Sequence, residues 1–407
     1  MRRALSTFAA LVLGTLAVQQ IAARCFGDPW SGVARLTERW VYYDGHRYLQ
    51  IAHEGYSWNA DAQSTVAWFP LYPLLIRALS WLGGRPTNWA ALITLVAGAT
   101  AFVLYDRWAA SSSWVPLGLF ALMPYAFYLY GIVYADALFV ALCLGAWLAF
   151  DRSAVGASVV LSALATATRP TGVALVAGLM VAGYLRRRRP ADAGVQALGL
   201  VGLGAYIAFQ WWRFDEPLGF LSTQRHFRAG AAPIGNTRLI EALVSGWRSA
   251  SLFEVGAAVV LAAVGVGSAA WIGRRYSRGA AVAVLGFAGA FIVTIARWPD
   301  FVSFPAYRST TAAQGLLCLA AAVSVPAVAR RHGLGAATYV AVLVAIPTVS
   351  TGDFMGAGRY LIAAFPLWTT WGGWLAERGR VARVVLAASG VAMVCLSVAF
   401  TRGGYIA

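Results

Sequence analysis

Long apolar runs rich in Ala, Leu, Val and Gly fill most of this chain, separated by short arginine clusters and turn residues. After the N-terminal run MRRALSTFAALVLGTLAVQQIAARCFG, the pattern predicts helical spans near 88–105, 114–131, 133–150, 153–168, 171–185, 194–213, 253–273, 279–297, 309–328, 335–350, 360–376 and 383–400. One stretch breaks the pattern. From Tyr42 to Pro73 the chain turns polar and aromatic, and Asp44, His46, Arg47, His53, Glu54 and Asp61 crowd together there. Tyr48, Ile51 and Ala52 recur at helical spacing, so a short amphipathic helix is expected over 42–56, ended by Gly55. The segment 68–83 is apolar but short, and it carries Arg77 and two prolines.

Composition makes the spans helices in lipid. Hydrophobic residues are 60% of the 407 positions and charged ones 12%, with mean hydropathy +0.66. That excludes an ordinary soluble domain. In lipid the backbone must satisfy itself, and long runs without strand alternation point to helices rather than a barrel. The expected fold is therefore an all-α polytopic membrane protein, a single integral membrane domain over 1–407. Its net charge of +16 is all arginine, since the chain has no lysine, and suits an anionic membrane face better than nucleic acid. Four scattered cysteines, Cys25, Cys143, Cys318 and Cys395, give no disulfide framework and no metal cluster.

Charge then sets the topology. If 68–83 lies in the interface without crossing, Arg107, Arg152, Arg186 to Arg189, Arg274, Arg330 and Arg378 all fall on the side of Arg2 and Arg3. The expectation is about 13 spans, an uncleaved first span, a cytoplasmic N-terminus and a C-terminus outside. It leaves two large outer loops, 24–87 and 214–252, and gathers most carboxylates on the outer side.

Candidate chemistry collects at that outer side. Asp44 can cap its helix, pair with Arg47 or accept a proton from a hydroxyl group. His46 and His53 lack a third ligand at zinc spacing. Tyr134 and Asp136 lie in GIVYADALF, Arg169 in TATRPTGVAL, Arg308 in FPAYRST and Arg359 in GAGRYLIAAFP, all near predicted outer ends of spans. An ionisable residue at membrane depth costs about 2.5–3.5 kcal/mol on insertion scales, which marks it as functional. Each arginine can snorkel to the headgroups or grip a lipid phosphate, and Arg169 and Arg359, each opening a span beside Pro, Thr, Gly or Tyr, suit the second role.

In order along the chain, these residues resemble the PIG-V mannosyltransferases and their bacterial relatives, within the membrane-embedded GT-C glycosyltransferases. Asp44 to Tyr56 is similar to the family's first-loop motif, and Phe69 to Pro73 to its FPLYP element. Met123 to Phe139 resembles the stretch leading to Tyr-Thr-Glu-Ser, here Tyr134, Ala135, Asp136 and Ala137. Arg169 to Gly172 matches Arg-Pro-Thr-Gly, Glu216 to Gln224 the Asp-Pro-aliphatic-Phe loop, and Arg359 to Pro366 the Arg-Tyr…Phe-Pro element. The resemblance implies a GT-C-like bundle. It also implies an outward-facing transfer of mannose from a polyprenyl-phosphate donor, with no nucleotide sugar at that step and no cofactor.

The resemblance places Asp44 in the catalytic role, as general base. Arg47, Tyr48, Glu54, Tyr56, Asp136, Arg169, Gln224, Arg359 and Tyr360 then form the substrate-binding set. Asp136 stands where the family has Glu, alanines flank it where the family has Thr and Ser, and Tyr43 replaces the usual Trp. The acceptor, a glycolipid, polymer or protein, is left open. A different class, a lipid-linked sugar flippase or transporter, would place its polar groups near the midplane, often in repeated halves.

Overall fold

In a computed structural model of the chain, residues 1–25, 33–223, 305–350 and 356–404 are described. Every regular element among them is helical. Four helices are long and apolar enough to cross a membrane: α1 (Arg2–Cys25), a helix at Pro86–Ala109, another at Pro190–Phe214, and one at Gly379–Thr401. At 24 residues, the second of these reaches about 36 Å, against about 30 Å of hydrocarbon. The array presents Leu13, Ile21, Val96, Trp212, Val384 and Val391 outward, as expected of a helical membrane protein whose solvent is lipid.

Between α1 and the second long helix lie a 3-10 segment, Val33–Trp40, then α2 (Asp44–Glu54) and α3 (Leu71–Ser80). Helix α2 falls inside the expected 42–56. Its last turn closes with Gly55 donating its N–H to Ile51 O, and Gly55 holds a φ of 87° that other residues avoid. Helix α3 has ten residues, about 15 Å, too short to span. Tyr72 near its start donates its hydroxyl to Ala90 O at 3.0 Å, and just beyond its end Gly83 O accepts from Trp89 Nε1 at 2.7 Å. Both ends thus meet the first turns of α4 (Pro86–Ala109), and α3 lies along one side of the array.

The rest of the order is α5 (Val115–Leu122), α6 (Asp136–Asp151), α7 (Val155–Thr168), α8 (Gly172–Arg187), α9 (Pro190–Phe214), the single turn α10 (Gly219–Ser222), α11 (Pro305–Ser350), α12 (Ala357–Ile362), α13 (Phe365–Ala376) and α14 (Gly379–Thr401). Helices α4, α6 and α7 pack in series, α8 lies on α11, and α13 on α5. The expected helix over 114–131 is corrected: it stops at Leu122, and a 3-10 turn, Ala126–Leu129, follows. Met123 precedes Pro124 and is extended, at φ −55° and ψ 145°, because the proline ring disfavours a helical neighbour before it. Helix α11 joins the expected spans 309–328 and 335–350 across a kink at Gly333, φ 87° and ψ 169°. The span expected at 360–376 is interrupted too, since α12 ends at Ile362 and α13 begins at Phe365. Spans expected at 253–273 and 279–297, and the 214–252 loop from residue 224 on, lie outside the described residues.

Contacts sort the charges onto two ends of the array. At one end Arg3 Nε donates to Asp106 Oδ1 at 3.1 Å, tying the start of α1 to the end of α4. At that same end Arg186 Nη1 donates to Phe150 O at 2.9 Å. At the other end α2 packs on α3 and α4 beside the turn before α6, and Gly403 O, just past α14, accepts from the Tyr43 hydroxyl. Buried Gln19 in α1 pins this second end. It accepts from Trp40 Nε1 at 3.2 Å and donates to Ser397 Oγ in α14 at 2.7 Å, so a polar group at membrane depth is satisfied.

Candidate functional site

Four charged side chains from four segments meet at the α2 end. Asp44 is the first residue of α2, Asp136 the first of α6, Arg169 lies in the turn before α8, and Arg359 is inside α12. Arg359 Nη1 donates to Asp44 Oδ2 at 2.9 Å and Nη2 to Asp136 Oδ2 at 3.2 Å. Arg169 Nη1 donates to the remaining Asp136 oxygen, Oδ1. Two carboxylates and two guanidiniums form one chain of ion pairs with no net charge.

Exposure separates the four. Asp136 is 1% exposed, Arg359 8%, and Asp44 29%. Asp44 Oδ1 takes no hydrogen bond from the described residues, so Asp44 is the member a reactant can reach. Asp136 has both oxygens occupied and its side chain shut in. It pairs with both arginines at once.

Aromatic rings complete the setting. The Arg359 guanidinium lies over Tyr134 at 4.4 Å and Tyr128 at 5.1 Å from the ring centroids. Arg169 lies over Tyr360 at 4.9 Å. Such stacking stabilises a desolvated guanidinium by about 2 kcal/mol. Tyr134 also accepts the Asp44 backbone N–H on its hydroxyl at 3.3 Å, so one ring touches both Asp44 and its partner Arg359. Helix α12 is aimed by Gln314 of α11, whose Oε1 accepts the Gly358 N–H at 3.0 Å.

Local backbone fixes Asp44. Tyr43 before it has φ 49° and ψ −112°, a conformation that costs a non-glycine residue about 1–3 kcal/mol and persists only where its surroundings enforce it. Here they do: Gly45 donates its N–H to Tyr42 O at 2.9 Å and His46 to Tyr43 O at 3.1 Å. Trp40 O accepts from Val133 N at 3.0 Å, joining the α2 approach to the turn before α6. Gly131 in that turn has φ 112°, and a Cβ there would meet the Trp40 ring at 2.6 Å. Only glycine fits.

The other expected residues divide. Asp44 does not pair with Arg47. Arg47 instead donates to Gln50 Oε1 at 3.1 Å and Gln63 Oε1 at 3.4 Å, and it lies over Trp68. Exposed Glu54 accepts from Gln50 Nε2 at 3.0 Å, so Arg47 and Glu54 share the outer face of α2. Tyr48 is 5% exposed and packs edge-on against Tyr72 and Tyr134. Burial raises its hydroxyl well above the usual tyrosine range, so it stays neutral. Tyr56 donates to Trp68 O at 2.8 Å and joins a separate cluster with Tyr206 and Phe209. Gln224 lies outside the described residues, and so do the side chain of Arg308 and its surroundings.

Arg169 and Arg359 do not snorkel. Their guanidiniums turn to the carboxylates of Asp44 and Asp136. Tyr128 is the site residue that the sequence reading missed; the crowded aromatics of PYAFYLYGIVY were the signal for it. No group of three or more His, Cys, Asp or Glu able to hold a metal occurs among the described residues.

No protein-family model matches the chain, and no curated protein or solved structure matches it either.

Proposed function

We propose that this protein is a membrane-embedded glycosyltransferase. It moves a sugar, mannose by its resemblance to the PIG-V family, from a polyprenyl-phosphate donor to an acceptor hydroxyl at the outer face of the cytoplasmic membrane. The reading rests above all on the Asp44–Arg359 pair, one accessible carboxylate bonded at 2.9 Å to a guanidinium that is itself braced by buried Asp136. A base beside a fixed cation is what displacement of a phosphate requires. In this reading the chain makes about 13 spans in a GT-C-like bundle, with Arg3 and Asp106 at the cytoplasmic end and Asp44 outside.

Asp44 takes the proton of the acceptor hydroxyl. A bond forms from that oxygen to the anomeric carbon, and the bond from this carbon to the phosphate oxygen breaks, its electron pair leaving with the phosphate. The departing polyprenyl phosphate carries one more negative charge than it had in the donor. A guanidinium beside it stabilises that charge as it grows. The acceptor proton leaves Asp44 for solvent, to which the side chain is 29% exposed.

The site lies at helix ends rather than at mid-depth, which favours transfer over a lipid-linked sugar transporter. The test is sugar transfer by the purified, detergent-solubilised protein with radiolabelled mannose carried either on a polyprenyl phosphate or on a nucleotide. Labelled product from the lipid-linked donor alone is expected. Product from the nucleotide sugar alone, or none from either, would overturn the reading.

A further inference from the structure

The four charges of the site balance, and that balance has no room for another anion. A phosphodiester added to two carboxylates and two guanidiniums leaves the cluster one charge negative in a partly buried place, where an uncompensated charge is expensive. One carboxylate must give way. Asp136 cannot, because it is 1% exposed and both its oxygens are held. Asp44 can: it is 29% exposed and bonded to Arg359 through a single oxygen.

Arg359 has the means to take a second anion. Its Nε is buried without a hydrogen-bond partner, and the nearby Tyr128 hydroxyl is also buried and unpartnered, with that ring 5.1 Å from the guanidinium carbon. Buried donors left unmatched are rare and ask for an acceptor. A phosphate oxygen pair fits the planar guanidinium edge as well as a carboxylate does.

We infer that the donor phosphate and Asp44 compete for Arg359, so that binding the donor frees the catalytic base. In the resting protein Arg359 Nη1 donates to Asp44 Oδ2 at 2.9 Å, so that oxygen is occupied. The phosphate takes the Nη1 donor that Asp44 gives up, with the Tyr128 hydroxyl as a further donor, while Asp136 keeps Nη2. Asp44 is then released from the guanidinium, with both oxygens free to meet the acceptor hydroxyl only when there is a donor to attack. This rests on the reading of the site as a lipid-phosphate-dependent transferase.

Binding separates the two ideas without needing turnover. The probe is farnesyl phosphate, titrated into wild type, Asp44→Asn, Asp61→Asn, Arg359→Gln and the Asp44→Asn/Arg359→Gln pair in detergent. Removing the internal competitor should tighten binding roughly tenfold in Asp44→Asn, whereas Asp61→Asn, an exposed carboxylate of the same outer loop, should change it less than about twofold. The gain should vanish when Arg359 is already Gln, the signature of a shared partner. Equal gains in Asp44→Asn and Asp61→Asn, or no gain at all, would overturn the competition while leaving the donor reading intact if wild type binds the probe. That comparison stands even if Arg359→Gln fails to fold. Absence of binding to wild type and to Asp44→Asn would overturn the donor reading, and the competition with it.

Discussion

Arg359 bonds both carboxylates of the site while lying over two tyrosine rings, and Asp136 makes this possible by facing two guanidiniums at once. Breaking such a buried arrangement by removing one partner is costly, because charges are left uncompensated. Asp136→Asn should lower stability by about 3–5 kcal/mol, read as a clear fall in the unfolding midpoint in detergent; an unchanged midpoint would show that Asp136 does not carry the pair. Asp136, Arg169 and Arg359 were visible in the sequence because lone charges near span ends need a reason, and Asp44 because it stands in the one polar, charge-crowded segment. Their pairing was not. Arg359 is 315 positions from Asp44, and the near neighbour Arg47, the obvious local partner, turns to Gln50, Gln63 and Trp68. Nothing in spacing along one chain shows which distant charge fills a site.

Helices followed the hydrophobic runs wherever the backbone had no local objection. At 114–131 it had two: Pro124 stops α5, and Gly131 takes a φ of 112° that no helix contains. The aromatic residues between them hid both signals by keeping the run apolar. The result matters to the site, since the turn so formed carries Tyr128 and Tyr134 under Arg359. Gly333 breaks α11 in the same way, at φ 87° and ψ 169° with open space around its α-carbon. Gly333→Ala should therefore cost about 1–3 kcal/mol through backbone strain alone. Thermal unfolding checks this, and a neutral substitution would mean that the kink is not held as described.

Across the whole molecule, arginine clusters and the Arg3–Asp106 contact mark one end, and the α2 site the other. If the arginine-rich end is the cytoplasmic one, the sorting follows from retention of positive charge on that side during insertion. Labelling tests the orientation. With exposed Cys25 and Cys395 replaced by Ser, a membrane-impermeant maleimide added to intact cells should label Asp61→Cys and spare Arg189→Cys. The opposite pattern would invert the topology and put the site in the cytoplasm.

The central claim is that Asp44, held at the mouth of a buried ion-pair chain, is the base for transfer from a lipid phosphate. It is tested most directly by comparing wild type with Asp44→Asn for conversion of radiolabelled polyprenyl-phosphate mannose in the presence of a host lipid extract. Asn keeps the size of the side chain and a hydrogen-bond acceptor for Arg359 but cannot take a proton. The variant should insert and unfold much like wild type and lose at least about a hundredfold in transfer rate, the lower range of general-base contributions. Near-normal transfer by a well-folded Asp44→Asn would contradict the account.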